Sequence, residues 1–309
     1  MPNSAIDLIF IIGPTACGKT RLAVGLAARA DGEIISADSR QVYRRMNIGT
    51  GKDYKDYIVN GRVIPSHLTD ICDPGEKYNL FEYQRDFFAV YTELKKRNKI
   101  PVVCGGTGLY IEAITNAYKL LPVPPDENLR KKLEKKSLDD LAEMLAAYKE
   151  LHNKTDVDTK KRAIRAIEIE EYYKKNPATT DSFPQLNSLL IGLAYERETI
   201  KKRITERLYQ RLKEGMIEEV EILLNDGVNP EDLIYYGLEY KYITLFITGR
   251  LSYDEMVEKL NIAIHQFSKR QMTWFRKMER EGAEIHWLDG NLDMETKIRK
   301  VLELAGLLS

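Results

Sequence analysis

Cysteine is scarce in this sequence, and its spacing excludes two kinds of site. The 309 residues include three cysteines, Cys17, Cys72 and Cys104, and no two of them form a C-x-x-C pair. Cysteines so far apart give neither the ligand spacing of a structural zinc site nor the dense pattern of a disulfide framework. We therefore expect neither feature.

Long apolar runs and an excess of one charge are also missing. No run approaches the roughly 20 residues that a transmembrane helix needs, and the first residues, which include Asp7, do not have the pattern of a signal or transit peptide. The 47 basic residues balance 47 acidic ones, so the protein is not basic all round, although local basic faces remain possible. We expect a cytoplasmic protein with no membrane partner.

A glycine-rich segment near the N-terminus is the strongest functional signal. Residues 13–20 read GPTACGKT, which fits G-x-x-x-x-G-K-[ST]. An apolar run precedes this segment and a helical pattern follows it, which is the strand–loop–helix context of a phosphate loop. Glycines let the backbone N–H groups wrap a phosphate, and the helix N-terminus adds positive potential. Lys19 is predicted to reach the terminal phosphate, and the Thr20 hydroxyl is predicted to bind Mg²⁺.

The segment as a whole predicts a site for a diphosphate or a triphosphate. Its residues are Gly13, Pro14, Thr15, Ala16, Cys17, Gly18, Lys19 and Thr20.

Two further segments follow predicted strands. A strand over 33–36 leads to Asp38, and a strand over 100–104 leads to a Gly-Gly-Thr loop with Thr107 at its tip. Because ligands bind at the carboxyl ends of parallel strands, Asp38 is a candidate for acid–base work; alternatively, it caps the next helix. The second strand lacks the terminal aspartate that ATP hydrolases of this class use for Mg²⁺, which disfavours an ordinary ATPase.

The composition changes in the middle of the chain. Residues 119–187 are rich in lysine and glutamate, with helical periodicity over 126–136, 138–150 and 160–174 and prolines at both ends. We predict an all-helical domain inserted into an α/β core formed by residues 1–118 and 188–309. Its basic clusters either form a solvated helix face or together contact a polyanion.

Two basic helices are predicted near the C-terminus. On the first, Arg203, Arg207 and Arg211 are spaced by four and share one face. The second, over 252–282, interleaves basic residues such as Lys269 and Arg270 with aromatic ones. Such a pattern is typical of a helix that binds nucleic-acid phosphates, but a core helix with a solvated basic edge has the same pattern. The side chains expected to pack inward are Phe267, Trp274 and Met278.

Taken together, these residues resemble the bacterial tRNA dimethylallyltransferases, members of the IPP transferase family. The similarity extends over nearly the whole chain. The segments that carry it are GPTACGKT at 13–20, residues 38–50 from Asp38-Ser39 to Ile48-Gly49-Thr50, Asp70-Ile71 with Asp73-Pro74, GGTGLY at 105–110, Arg165-Ala166-Ile167-Glu168, the Arg203/Arg207 helix and KRQMTWFR at 269–276.

This resemblance implies a P-loop core similar to that of nucleotide kinases, with dimethylallyl diphosphate rather than ATP on the loop. It implies transfer of the dimethylallyl group to N6 of the adenosine next to the anticodon, at position 37 of the tRNA, with release of diphosphate. The helical insertion would clasp the anticodon stem-loop. We also expect a monomer.

The resemblance also implies roles for individual residues. Asp38 would match the general base, Thr20 the residue for Mg²⁺ and diphosphate, and Arg203 a diphosphate-binding arginine; with Lys19 they form the predicted catalytic set. The residues that match tRNA-contacting regions are Asp38, Ser39, Arg40, Gln41, Thr107, Lys161, Arg162, Ala163, Ile164 and Arg165, to which the basic helix adds Lys269 and Arg270.

Other functions are compatible with the phosphate loop. They are a small-molecule kinase that uses ATP, an isopentenyltransferase that acts on free adenine nucleotides, and an RNA-binding switch protein that uses a nucleotide as a signal. The helical insertion and KRQMTWFR favour a bulky RNA acceptor over the two other enzymes.

Overall fold

Residues 6–148, 155–176 and 183–308 are described by a computed structural model. Contacts between Cα positions group the chain into two units. One unit comprises Met1–Ala117 with Pro184–Ser309, and the other comprises Tyr118–Phe183. Parts of the insertion predicted at 119–187, including the end of the helix predicted over 138–150, lie outside the described residues.

The larger unit is built on a parallel sheet. Its strands, with a short hairpin of β3 and β4, are β1 (Leu8–Ile12), β2 (Gly32–Ser36), β3 (Ile58–Val59), β4 (Arg62–Val63), β5 (Ser66–His67), β6 (Ile100–Gly105), β7 (Ser188–Ala194) and β8 (Ile285–Asp289). The order in the six-stranded sheet is β5-β2-β6-β1-β7-β8, and all neighbours are parallel. The α/β fold class with a parallel sheet is therefore confirmed.

The burial of the central strands explains why they could be predicted from the sequence. β1 is a run of five buried apolar residues, as expected for a parallel strand covered by helices on both faces. The predicted strands that became β1, β2, β6 and β7 are confirmed. The two edge strands were not predicted, because β5 has only two residues and β8 mixes apolar with polar side chains.

The strand register brings three loops together. Ile12 of β1 pairs with Gly105 of β6, and Ser36 of β2 pairs with Cys104 of β6. These three strands therefore end at the same edge of the sheet. Beyond their ends, the backbone N–H of Thr107 donates to the carbonyl of Ala37 at 3.2 Å, which joins the second and third loops directly.

Nine helices in the described part of the larger unit surround the sheet or extend from it. They are α1 (Lys19–Arg29), α2 (Leu80–Lys96), α3 (Gly108–Thr115), α7 (Arg197–Lys213), α8 (Met216–Asn225), α9 (Pro230–Tyr236), α10 (Leu238–Ile247), α11 (Tyr253–Arg280) and α12 (Met294–Leu304), numbered around the three helices of the smaller unit. A capping box formed by Ser252 and Glu255 fixes the start of α11, the longest of these helices. In the described part of the chain, no helix has both the length and the apolar character of a membrane span.

The larger unit has two hydrophobic cores. One lies around the sheet and includes Ile9, Leu22 and Val301. The other lies among α7, α8, α10 and α11 and includes Leu208 and Tyr240. Ala16 of the phosphate loop packs against this second core, so the packing of the C-terminal helices holds α7 beside the loop.

The smaller unit consists of helices. They are α4 (Glu127–Leu133), α5 (Leu138–Ala146) and α6 (Lys160–Lys175), with a short 3₁₀ turn at Thr155–Val157. Leu141 and Ile167 are in its core. Glu168, almost fully buried, accepts two hydrogen bonds from Arg130 at 2.8 Å and a third from the N–H of Asp126. This network ties α4 to α6.

One expectation about the long helix was wrong. Trp274 and Met278 pack inward, but the Phe267 side chain is exposed, with the Arg270 guanidinium 6.0 Å from its ring centre. The buried stripe of α11 runs through Ser268 and Phe275, so Phe267 lies at its border. Trp274 is covered there because glycine at position 108 leaves room for its ring.

Candidate active site

The phosphate loop depends on two glycines. Gly13 has φ +153°, and a Cβ there would come within 2.9 Å of Cys17 Sγ. Gly18, the N-cap of α1, has the left-handed φ of +82°. Lys19 Nζ donates to the carbonyl of Pro14 at 3.2 Å. The lysine therefore lies along the loop that it is predicted to serve.

Gln271 of α11 joins the phosphate loop to the Gly-Gly-Thr loop. The N–H of Thr15 donates to Gln271 Oε1 at 2.9 Å, and Gln271 Nε2 donates to the carbonyl of Gly106 at 2.9 Å. Gln271 is buried, and a Cβ on Gly106 would come within 2.3 Å of Nε2. This glutamine lies within KRQMTWFR, but no role was predicted for it. The sequence signal for a buried role was its position beside basic residues on an otherwise apolar stripe of the helix.

We expect Gln271→Leu to lower the free energy of unfolding by about 1–3 kcal/mol, because two buried backbone groups lose their partners. It should also weaken diphosphate binding, since the loop would lose its lateral support. Denaturant unfolding and calorimetric titration with diphosphate measure the two effects. Gln266→Leu is the matched control, because Gln266 is exposed on the same helix. Equal stability of the two variants would contradict the prediction.

Asp38 lies in a turn just beyond the end of β2. Its Oδ1 accepts the N–H of Arg40 at 2.9 Å, so it closes a turn and does not cap a helix. Among the described residues, Oδ2 has no hydrogen-bond partner. The next residue, Ser39, donates its N–H to Thr107 Oγ1 at 3.1 Å. The turn is thus fixed from the third loop, and one carboxylate oxygen remains available.

The thiol of Cys104 shows that the predicted catalytic residues lie close together. Burial raises the pKa of Cys104 to about 12; the positive charge of Lys19 and a hydrogen bond with Thr20 act in the opposite direction, whereas Asp38 raises the pKa further. All three groups therefore lie within electrostatic range of one sulfur atom. The register of the sheet, rather than proximity in the sequence, brings Asp38 to the phosphate loop.

Arg203 of α7 lies on the other side of the loop. A Cβ on Gly18 would be 3.8 Å from Arg203 Nη2. The guanidinium carbon lies 4.6 Å from the ring centre of Tyr195, whose hydroxyl donates to the carbonyl of Gly290 at 2.9 Å. A cation stacked on an anchored tyrosine is held in place at modest entropic cost. Arg203 is therefore a positioned cation at the start of α1.

A small cavity, partly apolar, adjoins the loop. It is lined by Thr15, Ala16, Ile204, Arg207, Leu208, Arg211, Met216, Glu239 and Ile264. Burial raises the pKa of Glu239, and the neighbouring Arg211 partly offsets this effect. Burial, together with the charge of Arg207, lowers the pKa of Arg211 to about 10, so its guanidinium stays charged at neutral pH. The spacing of Arg207 and Arg211 predicts that they share a helix face, whereas no role was predicted for Glu239.

The residues predicted to contact tRNA differ in exposure. Lys269 and Arg270 are exposed on α11, and Lys161 and Arg162 are exposed on α6. The other three residues of the 161–165 segment make contacts within the smaller unit. Ala163 and Ile164 are in its hydrophobic core, and Arg165 pairs with Glu168 and donates to the carbonyl of Val123 at 2.9 Å.

Two more of these residues have partners near Asp38. Gln41 Nε2 donates to the carbonyl of Gly51 at 3.2 Å. The guanidinium carbon of Arg40 lies 5.7 Å from the ring centre of Tyr235, an exposed side chain. The contact with Tyr235 therefore orients the Arg40 side chain next to the turn that holds Asp38. The Gln41 amide instead helps to hold the neighbouring loop.

A phosphate loop after the central parallel strand β1, with a carboxylate after β2, the next strand but one, at the same sheet edge, defines a P-loop α/β protein of the nucleotide-kinase type. The absence of an aspartate at the end of β6 separates this site from that of ordinary ATP hydrolases. The model of the IPP transferase family matches residues 41–278, and that of the isopentenyl transferases matches residues 6–64. The chain belongs to the IPP transferase family, as its sequence motifs predicted.

Comparisons with individual proteins indicate the same family. The chain is 60% identical over 298 residues to tRNA dimethylallyltransferase 1 of Parabacteroides distasonis, covering 96% of this chain and 97% of that protein. It is 61% identical over 295 residues to tRNA dimethylallyltransferase 2 of Bacteroides fragilis, with 96% of each covered. The solved tRNA isopentenylpyrophosphate transferase of Bacillus halodurans superposes with a TM-score of 0.70 at 31% identity, covering 97% of this chain and 95% of that one.

Proposed function

We propose that this protein transfers the dimethylallyl group of dimethylallyl diphosphate to N6 of the adenosine at position 37 of tRNA, next to the anticodon, and releases diphosphate. The names of its close relatives support the reaction. The observation that carries the proposal is the strand register, which ends β1 and β2 at the same sheet edge and so brings Asp38 to the side of the phosphate loop. A base next to an anion cradle is what prenyl transfer to a weak nucleophile requires.

The diphosphate site is formed by the backbone N–H groups of residues 13–20 together with Lys19 and Arg203. The donor's C–O bond breaks during transfer, and the bonding electrons leave with the diphosphate. Cations and N–H groups that are already in position stabilise this developing charge with little reorganisation. The contacts of Arg203 with Tyr195 and of Lys19 with Pro14 support this arrangement, because both cations are fixed beside the loop.

Asp38 acts as the general base. The lone pair of the adenine N6 is delocalised into the ring, so the amine attacks poorly unless its proton is removed as the C–N bond forms. The free Oδ2 of Asp38 is the acceptor, while Oδ1 holds the turn through Arg40. The target base must leave its stack to reach this carboxylate.

Mg²⁺ fits the residues present when the diphosphate supplies most of its ligands. Within the described residues, no group of three or more His, Cys, Asp or Glu side chains could hold a metal. Mg²⁺ commonly binds substrate phosphates and water with few protein ligands. The Thr20 hydroxyl would be the protein ligand, and the bound ion would neutralise charge on the diphosphate.

The tRNA contacts lie on two basic surfaces. The helical insertion at 119–187 is assigned to the anticodon stem-loop because its exposed side chains include clusters of basic residues. Those in the described part of the insertion include Lys131, Lys132, Lys135, Lys136, Lys161 and Arg162. Lys269 and Arg270 of α11 add a basic edge to the larger unit, while Ser39, Arg40 and Thr107 surround Asp38. The protein is assigned as a monomer.

Labelled donor distinguishes this function from the alternatives. The protein is incubated with dimethylallyl diphosphate labelled in the prenyl group, in the presence of tRNA, AMP or no acceptor. Label in an adenosine next to the tRNA anticodon is the expected result. Label in AMP alone would instead indicate an enzyme of free nucleotides. Label in neither acceptor, with phosphate transfer from ATP, would indicate a kinase.

A further inference from the structure

Arg211 is a buried arginine with an unsatisfied donor. Its side chain on α7 is 9% exposed. In the part of the chain that the structure describes, its buried Nη2 has no hydrogen-bond partner. A charged group that is removed from water without a partner is costly, and proteins rarely keep one without a use for it.

The surroundings of Arg211 increase this cost. The guanidinium groups of Arg207 and Arg211 converge on Gly51, where a Cβ would lie 2.6 Å from Arg207 Nη2 and 2.1 Å from Arg211 Nη2. Two carboxylates lie nearby: the half-exposed Asp53, whose Oδ2 is 3.1 Å from Arg207 and 3.8 Å from Arg211, and Glu239, whose charge also acts on Arg211. Asp53 therefore pairs mainly with Arg207 and at longer range with Arg211, whose Nη2 has no hydrogen-bond partner among the described residues.

The cavity that Arg211 lines also reaches the phosphate loop. Thr15 and Ala16 are part of its wall, and Ile204 and Ile264 close its apolar side. Glu239 lines the cavity as well, but no ion pair joins it to either arginine among the described residues. An anion on the loop would thus lie close to a guanidinium with an unused donor, which would give a charge-assisted hydrogen bond.

We propose that Arg211 is a diphosphate-binding residue, whose Nη2 donates to an oxygen of the donor's diphosphate and of the released product. This assignment rests on the proposed function for the identity of the donor. It adds a guanidinium from the middle of α7 to the loop amides, Lys19 and Arg203. The glycine at position 51 leaves room for the Arg211 guanidinium, because any side chain there would occupy the position of Nη2.

A diphosphate fits this position better than an RNA phosphate does. The cavity, about 10 Å³, has room for a single oxygen and its wall includes the loop itself, whereas a phosphate of the RNA backbone brings two bulky sugars. Arg211 is also buried, unlike Lys269 and Arg270, which are exposed as contacts to an RNA backbone must be.

Binding of inorganic diphosphate to the full chain, in Mg²⁺ and without tRNA, tests the assignment. Arg211→Met keeps the length of the side chain but removes its charge and its donors. By calorimetric titration, it should weaken diphosphate binding by about 10- to 100-fold, the range of one charge-assisted contact. Lys202→Met, on the exposed side of the same helix, should change it less than twofold.

Several results would overturn the assignment. They are equal diphosphate affinity of Arg211→Met and Lys202→Met, or a loss of tRNA affinity in Arg211→Met with unchanged diphosphate affinity, which would indicate an RNA phosphate. If Arg211→Met does not fold, Arg211→Lys, which keeps the charge but not the second donor nitrogen, decides instead: wild-type affinity in that variant overturns the assignment. Failure of the proposed function is a separate outcome, since wild-type protein could bind diphosphate without moving label to tRNA.

Discussion

Replacing Asp38 by asparagine is expected to lower the rate of prenyl transfer by roughly 10²- to 10⁴-fold, the usual contribution of a general base. Asparagine keeps an oxygen that can accept the N–H of Arg40, so the turn is preserved. It cannot take the proton of the adenine amine. The rate is measured in a single turnover with saturating tRNA and labelled donor, and tRNA affinity is measured separately and should change little.

Asp38→Ala is the comparison that separates the base from the turn. If Asp38 acts only through the turn, the asparagine variant should work nearly as well as the wild type, and only the alanine variant should fail. If Asp38 is the base, both variants lose most of their turnover. A single-turnover rate of Asp38→Asn within tenfold of wild type would remove Asp38 from the catalytic role.

Lys19→Met is expected to lower kcat/KM for the prenyl donor by roughly 10²- to 10³-fold, on the scale of one strong contact to a developing negative charge. Lys19 Nζ donates to the carbonyl of Pro14, an interaction local to the loop, so the fold should remain. Initial rates at varied donor concentration measure the effect. The affinity for tRNA should stay within a few-fold of wild type.

Arg21→Met is the matched control for Lys19. Arg21 lies two residues further along α1, is 70% exposed, and pairs with Asp56 at 3.1 Å. Both variants remove one positive charge from the same helix, but only Lys19 lies along the loop. If the two variants lose the same amount of activity, Lys19 acts through the general electrostatic potential rather than through contact with the diphosphate.

The local features of the fold were predictable because short-range rules govern them. The phosphate loop between an apolar strand and a helix followed from its glycines and from the periodicity on either side. The helix predicted over 160–174 is Lys160–Lys175 in the structure. Edge strand β8 escaped prediction because its pattern has little contrast between its two faces.

The site was only partly predictable. Asp38 could be proposed because it follows a strand, but the choice between a base and a helix cap needed the contact with Arg40. Gln271 and Gly106 are 165 positions apart in the chain, and no local rule relates them. In the 161–165 segment, the sequence did not show that Arg165 pairs with Glu168 while Lys161 and Arg162 face solvent.

By itself, the sequence determined the family, the anion loop and the apolar strands, because each depends on residues close together in the chain. Tertiary structure alone decided that Asp38, Thr20 and Cys104 share one sheet edge, that Gln271 supports two loops, and that Arg211 lies buried beside the cradle. The physical reason is that strand register and helix packing fix distances between residues far apart in sequence. Burial then sets which charges have partners.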